Sequence, residues 1–264
     1  MAEADPRAIE RREYKYLIAP DRVAPIRDAL RPYCDLDPYA ARLERGRYRI
    51  DNLYFDTDAL SLYQRGERGR NERLKLRVRG YPGTSRERVF LEVKRRVDDL
   101  ILKTRGEVSI HQWTELFRAP DAPLPADLVG RDRAAVERFI TLARGLRVRP
   151  FTLVRYEREP HVSRIDDYVR VTFDSDIRAQ LIERRAHAPA PRVWRAFDPI
   201  IVLELKFNGS MPPWLAELVT RFDLRRRPFS KYRSSIRAFY RAPPWLDDPS
   251  PSPARIEGPR RPRR

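Results

Sequence analysis

Only six of the 55 basic side chains are lysines: Lys15, Lys75, Lys94, Lys103, Lys206 and Lys231. In a chain so weighted toward the planar guanidinium, these positions either require a compact ammonium point charge or are scattered by chance. Glu92 precedes Lys94 by two residues and Glu204 precedes Lys206 by two. On a strand, residues two apart share a face. Each glutamate then either pairs with its lysine, which the spacing alone favours, or holds a hard divalent cation that bridges phosphate oxygens.

Absent motifs narrow the chemistry. The chain has no GxxxxGKS/T phosphate loop, no GxGxxG fingerprint and no HExxH. His111, His161 and His187 lie outside the strand motifs and are expected at loops or strand ends, and no Ser or Cys nucleophile has a positioned base. Chemistry carried by Lys, Arg and Glu suits phosphoryl transfer, where positioning and charge neutralisation do most of the work.

Period-two alternation supplies the elements that would position these groups. Leu74, Leu76 and Val78 oppose Lys75, Arg77 and Arg79, and Leu91 and Val93 oppose Glu92 and Lys94. Ile201, Leu203, Leu205 and Phe207 oppose Glu204 and Lys206; residues 169–174 and, less cleanly, 13–16 repeat the scheme. Further strands are expected over 50–55, 100–108 and 152–158. Helical spacing marks 21–31, 132–146 with Asp132 as N-cap, 213–223 and 230–241. Pro-rich 119–125 and 188–192 read as loops. The order predicts an α+β fold with an antiparallel sheet or barrel. One charged strand face is ordinarily a solvated face. Five or more such faces closed inward as a barrel would repel one another unless an anion neutralised them.

The 264 residues carry a net charge of +17, of which a Pro/Arg-rich tail over 242–264, disordered by composition, holds +2. The remaining +15 belongs to the folded body and calls for a polyanionic partner. A single cysteine, Cys34, excludes an internal disulfide. With no signal-peptide pattern, and no apolar run near the roughly 20 residues that span a bilayer, a cytoplasmic location is expected.

Eight short stretches in order resemble a known family: Glu13-Tyr14-Lys15-Tyr16, Tyr54-Phe55-Asp56-Thr57, Lys75-Leu76-Arg77, Leu91-Glu92-Val93-Lys94, Lys103-Thr104-Arg105, Arg170-Val171-Thr172-Phe173-Asp174, Leu203-Glu204-Leu205-Lys206 and Ser230-Lys231-Tyr232-Arg233. Over roughly residues 10–240 the chain resembles the VTC domain, the polyphosphate polymerase module of the vacuolar transporter chaperone complex, within the triphosphate tunnel metalloenzymes. All six lysines fall on these stretches. The resemblance implies an antiparallel eight-stranded β-barrel tunnel with flanking helices over 10–241, preceded by an extension over 1–9. It implies that Lys15, Lys75, Arg77, Lys94, Lys103, Tyr156, Arg158, Arg170, Lys206, Ser230 and Lys231 bind phosphate, with Lys94, Arg77, Lys206 and Lys231 catalytic. A divalent metal, Mn or Mg, would be held by Glu204, with Glu92 and Glu13 as further ligands. One departure is that the superfamily's ExExK signature survives only as Glu13-x-Lys15, with Arg11 in place of the earlier Glu.

These features lead to the expectation of a polyphosphate polymerase that transfers the γ-phosphoryl group of ATP to a growing chain. A triphosphatase or tripolyphosphatase, and a silent polyphosphate-binding module, are the alternatives. Nucleic acid is not an expected partner, because the strand aromatics are expected off the cationic faces, unlike stacking platforms. Lacking the phosphate-sensing domain and membrane helices of the eukaryotic complex, the chain would need a membrane-protein partner for export. Ser230-Lys231, opening the last helix, is expected to form an anion site, where loss of Lys231 would cost activity and leave stability nearly unchanged.

Overall fold

The computed structural model describes residues 11–240 except 69–71, 84–86, 99, 120–121, 167, 183–193 and 198–199. The extension 1–9, the tail 242–264, His187 and the loop 188–192 lie outside the described residues. In chain order the elements are β1 (Arg11–Ile18), α1 (Val23–Leu30), β2 (Cys34–Leu36), β3 (Tyr48–Asp56), α2 (Ser61–Glu67), β4 (Glu72–Gly80), β5 (Arg88–Val97) and β6 (Leu100–Ser109). There follow α3 (Ile110–Arg118), α4 (Gly130–Gly145), β7 (Arg149–Ser163), β8 (Val169–Leu181), β9 (Arg195–Ala196), β10 (Ile201–Asn208), α5 (Pro213–Arg221) and α6 (Lys231–Tyr240).

Eight strands form one curled antiparallel sheet in the order β1-β10-β8-β7-β3-β4-β5-β6, with β2 paired to β7 and β9 to β8 off this path. The alternation read from the sequence sorts the two faces. Tyr16, Val171, Phe173, Leu203, Leu205 and Phe207 are buried on the convex side under Ile26 and Leu30 of α1 and Trp214, Leu215 and Leu218 of α5. On the other flank Leu74, Leu76, Val78, Leu91 and Val93 pack with Val136, Phe139 and Ile140 of α4. Their polar neighbours therefore face the concave side. A third core lies inside the curl, where Tyr232 and Ile236 of α6 pack with Tyr54, Tyr156 and Val202.

The expected closed barrel is not observed among the described residues: β1 and β6 end the sheet and no ladder joins them. The free edge of β1 is already hydrogen-bonded by the segment before α6. Tyr16 bridges Arg226, and the Arg227 N–H donates to the Lys15 carbonyl at 3.0 Å. This part of the β1 edge is therefore taken by the chain's own later segment.

Several local readings need correction. The helix expected from Asp132 starts at Gly130 with Val129 as its cap residue. Asp132 instead accepts from the Glu107 N–H at 2.9 Å and ties the helix to β6. Helices α2 and α3 were not anticipated, although Ser109 and Gln112 form a reciprocal capping box. His161 lies within β7, buried, with Nε2 2.9 Å from Glu159 Oε1, and His111 lies exposed in the first turn of α3. No helix among the described residues is long and apolar enough to cross a membrane.

Candidate phosphate-binding site

Every second residue of β4 points into the concave face, which brings Lys75, Arg77 and Arg79 into one line. Register carries the line sideways: Lys75 lies opposite Lys94, and Lys94 opposite Lys103. From the other flank β1 contributes Glu13 and Lys15, β10 contributes Glu204 and Lys206, and β7 contributes Tyr156 and Arg158. Ser230 and Lys231 enter from the start of α6. These residues, with Tyr54 and Glu92, wall a cavity of about 190 Å3 that has nine cationic side chains against three carboxylates.

Of the predicted site residues, Arg170 alone is not in this wall. It shares the face of Lys206, its ladder partner, but is exposed beyond the cavity. Sequence reasoning missed Arg79, Tyr54 and Asp174. Arg79 belongs to the same alternation as Lys75 and Arg77, so its signal was present. Asp174 shares the polar face of the 169–174 alternation and ends one of the family stretches, so its signal too was present; it is fully buried and holds Arg158 through two bonds of 2.7 and 2.8 Å and Lys231 Nζ at 2.5 Å.

Glu92 does not pair with Lys94. It receives Arg77 Nε at 2.6 Å, with Lys103 at 3.2 Å, Arg105 at 3.7 Å and Arg79 at 3.9 Å. Arg77 stands directly opposite Glu92 in the β4–β5 ladder, and residues so placed come about 5 Å apart, closer than residues two apart along one strand. Burial pushes the Glu92 carboxyl up, but Arg77, Arg79 and Lys103 outweigh it and hold it well below the usual carboxylate range. Glu204 keeps its expected lysine, Lys206, at 2.6 Å, and Glu13 pairs with Lys15, two residues on, at 2.7 Å. Burial of Glu204 is likewise outweighed by Lys206, Lys15, Arg158 and Lys231, which depress its pKa well below normal.

The lysines divide by what surrounds them. Lys15 is half-buried, and although its desolvation opposes the charge, Glu204 and Glu13 raise its pKa. Lys75 has no carboxylate to offset burial and the charges of Lys15, Lys94, Arg233 and Arg77, and its pKa falls to about 7. It donates to Ser230 Oγ at 3.0 Å. Burial also lowers Lys94, where Lys15 and Arg77 oppose the help from Glu13 and Glu204. The middle of the trough is short of negative charge.

No cluster of three His, Cys, Asp or Glu side chains suited to a metal occurs among the described residues. Glu92 stands apart among four cations, an environment that opposes a further positive ion. Glu13 and Glu204 are diagonal neighbours across the β1–β10 ladder, where Lys15 faces Glu204 and Glu13 faces Lys206. Two carboxylates fit a divalent cation shared with phosphate oxygens rather than a cage made by protein alone. Aromatic rings also share the cationic face, contrary to expectation. Tyr54 and Tyr156 are buried in the wall, so neither offers an open stacking surface to a strand of bases.

Two solved structures are similar to this chain. A Bacillus halodurans protein provisionally described as an adenylate cyclase is 14% identical with a TM-score of 0.47, over 86% of this chain and 96% of that one. The PH1819 protein of Pyrococcus horikoshii OT3 is 11% identical with a TM-score of 0.43, over 87% and 99%. No curated protein matches. Residues 10–240 match the VTC domain, and the chain belongs to that family.

Proposed function

We propose that the trough binds inorganic polyphosphate and the triphosphate of ATP, and that the protein is a polyphosphate polymerase. The observation that carries this reading is the surplus of cations in the wall, with Lys75 driven to about 7 for want of a counter-charge. A polyanion relieves that repulsion, and a chain of phosphates has the linear form of the trough.

In the transfer, an oxygen of the terminal acceptor phosphate attacks the γ-phosphorus of ATP, and the bond from that phosphorus to the β,γ-bridging oxygen breaks to release ADP. The attacking oxygen is already anionic, so no protein base is required. Lys94, Arg77, Lys206 and Lys231 neutralise the oxygens of the transferred group, while Lys15, Lys75, Lys103 and Arg158 hold the phosphates on either side. Glu204 and Glu13 would hold a divalent metal, Mg2+ or Mn2+, which would supply further neutralisation of phosphate charge. The family assignment agrees with this reading without selecting it over hydrolysis. A membrane-protein partner for export belongs to the same proposal.

The test is incubation of the purified protein with ATP and Mg2+ or Mn2+, followed by gel separation of products. A ladder of long chains is the expected result. Free phosphate without a ladder would make the protein a triphosphatase, and neither product would leave a polyphosphate-binding module.

A further inference from the structure

The inner face of β8 changes character partway along the strand. Val169, Val171 and Phe173 lie in the outer core under α1 and α5, which turns Arg170, Thr172 and Asp174 inward. Past residue 175 the phase is reversed, and Ile177 and Ala179 lie in the inner core with Tyr232 and Ile236 of α6. The ladder to β7 gives the cause. Arg155 faces Arg178 and Glu157 faces Ser175, so two residues of β8, Asp176 and Ile177, oppose the single Tyr156. Asp176 takes a left-handed φ of 47° at this bulge. One extra residue in a strand exchanges the faces of all that follow. The charged inner face therefore ends at Asp174, and within three residues an apolar one begins, in the core that also seats α6.

At that junction Asp174 meets cations from two other elements. Arg158 of β7 stands opposite it in the ladder and donates Nε and Nη2 to its two oxygens, at 2.7 and 2.8 Å. Lys231, from the first turn of α6, reaches the second oxygen at 2.5 Å. Both cations also lie against the Tyr156 ring, Lys231 Nζ at 4.5 Å and the Arg158 guanidinium at 5.5 Å from its centre. Arg158 and Lys231 line the cavity, whereas Asp174 stands behind them, fully buried and outside its wall. The fork leaves Nη1 of Arg158 outside it, and Lys231 has two further donors beyond the one given to Asp174. One carboxylate between two cations leaves the group at +1, so both are held without being neutralised. Long side chains fixed in this way have already lost the rotamer freedom that phosphate binding would otherwise take from them.

We propose that Asp174 is a positioning residue, which touches no phosphate itself and sets Arg158 and Lys231 as one aligned pair against the phosphates of the substrate. This inference rests on the transfer proposed above.

The experiment measures ADP formed from ATP, tripolyphosphate affinity and melting temperature for the full chain and its variants. Asp174→Asn removes the charge that aligns the two cations, and a misplacement of that kind should lower kcat by about a hundredfold. The same change adds a positive charge to the site, which offsets the loosened contacts and should keep tripolyphosphate affinity within about threefold. Asp174→Glu keeps the charge and displaces it by one methylene. It should hold the melting temperature closer to that of the unaltered protein, while kcat still falls by about tenfold. In a double-mutant cycle, Lys231→Ala should cost about tenfold in kcat in the unaltered protein and less than about threefold in the Asp174→Asn background. Unchanged turnover in the Asn and Glu variants, a parallel loss of turnover and affinity, or an additive cycle would overturn the role. A protein that binds tripolyphosphate and forms no ADP would remove the transfer itself. The cycle is then run on tripolyphosphate affinity, where coupling between Asp174 and Lys231 upholds the alignment and additivity overturns it. Absence of tripolyphosphate binding would overturn both readings.

Discussion

At neutral pH the Lys75 ammonium is poised between protonation states, since burial and the charges of Lys15 and Lys94 bring its pKa down to about 7. A bound polyanion restores its proton. Binding of tripolyphosphate should therefore take up a proton above pH 7 and weaken as the pH rises from about 7 to 8.5. Calorimetry in two buffers of different ionisation enthalpy measures the uptake, and Lys75→Arg, always charged, should remove it. Uptake that persists in that variant would belong to another group. The sign for folding is the reverse of a stabilising pair. Because the folded pKa lies below the unfolded value of about 10.4, the free protein carries the penalty in full below pH 7 and loses it as the pH climbs toward 10.4. Glu204 makes a different prediction: Glu204→Gln should abolish metal-dependent turnover while polyphosphate binding is kept, since one negative charge leaves the wall. Normal metal-dependent activity in the variant would reduce Glu204 to the partner of Lys206. For Lys231→Ala we expect activity per folded molecule to fall about tenfold, roughly 1.4 kcal/mol of transition-state stabilisation. Its melting temperature should fall as well, contrary to the expectation from sequence, because fully buried Asp174 loses one of its two cations.

Helix α6 supplies Lys231 only if its first turn is fixed, and buried Asp56 at the end of β3 fixes it. The Asp56 carboxylate accepts from the Tyr232 hydroxyl and from the N–H groups of Leu62 and Tyr63 at 2.9 and 2.8 Å, joining β3, α2 and α6. Asp56→Ala would leave these three donors, and the Thr57 N–H that also donates to Asp56 at 2.7 Å, without an acceptor at a buried site. We expect a cost of about 3 kcal/mol or more, read as a fall in melting temperature, together with weaker tripolyphosphate binding as α6 loosens. A small effect on both would mean that α6 is held by its apolar face alone. The convex side has its own close approach. A Cβ on Gly106 of β6 would lie 2.8 Å from Val136 Cγ2 and 2.9 Å from the Asp132 carbonyl oxygen of α4. Gly106→Ala should therefore cost about 1–3 kcal/mol in thermal or denaturant unfolding, with little effect on ligand affinity per folded molecule.

On the scale of the whole molecule, the wall of the trough holds nine cations against three carboxylates, a net +6 of the chain's +17. Neutralising a linear polyanion there releases its counterions, so the logarithm of the long-chain affinity should fall steeply and linearly with the logarithm of salt concentration. Deleting residues 246–264, within a tail that holds only +2, should leave most of that affinity and its slope in place. Loss of most of the affinity on deletion would move the binding site out of the trough.

Period-two alternation by itself determined which side of each strand is charged, because successive side chains of an extended backbone must point to opposite faces. The placing of Lys75, Arg77 and Lys94 on polar faces, and the salt bridge of Glu204 with the lysine two residues on, were legible for that reason. The order of the short motifs already resembled the family to which the chain belongs. Register and curvature decided the rest, since they depend on contacts between residues far apart in the chain. Register turned Glu92 from Lys94 to Arg77, and strand ends left Arg170 outside the cavity that holds Arg79. The 226–227 segment came back from far along the chain to occupy part of the β1 edge. The pKa of Lys75 belongs to the same class: no local pattern announces it, because it arises from four cations on other strands and helices, or two residues along its own strand, brought together in a space that water only partly reaches.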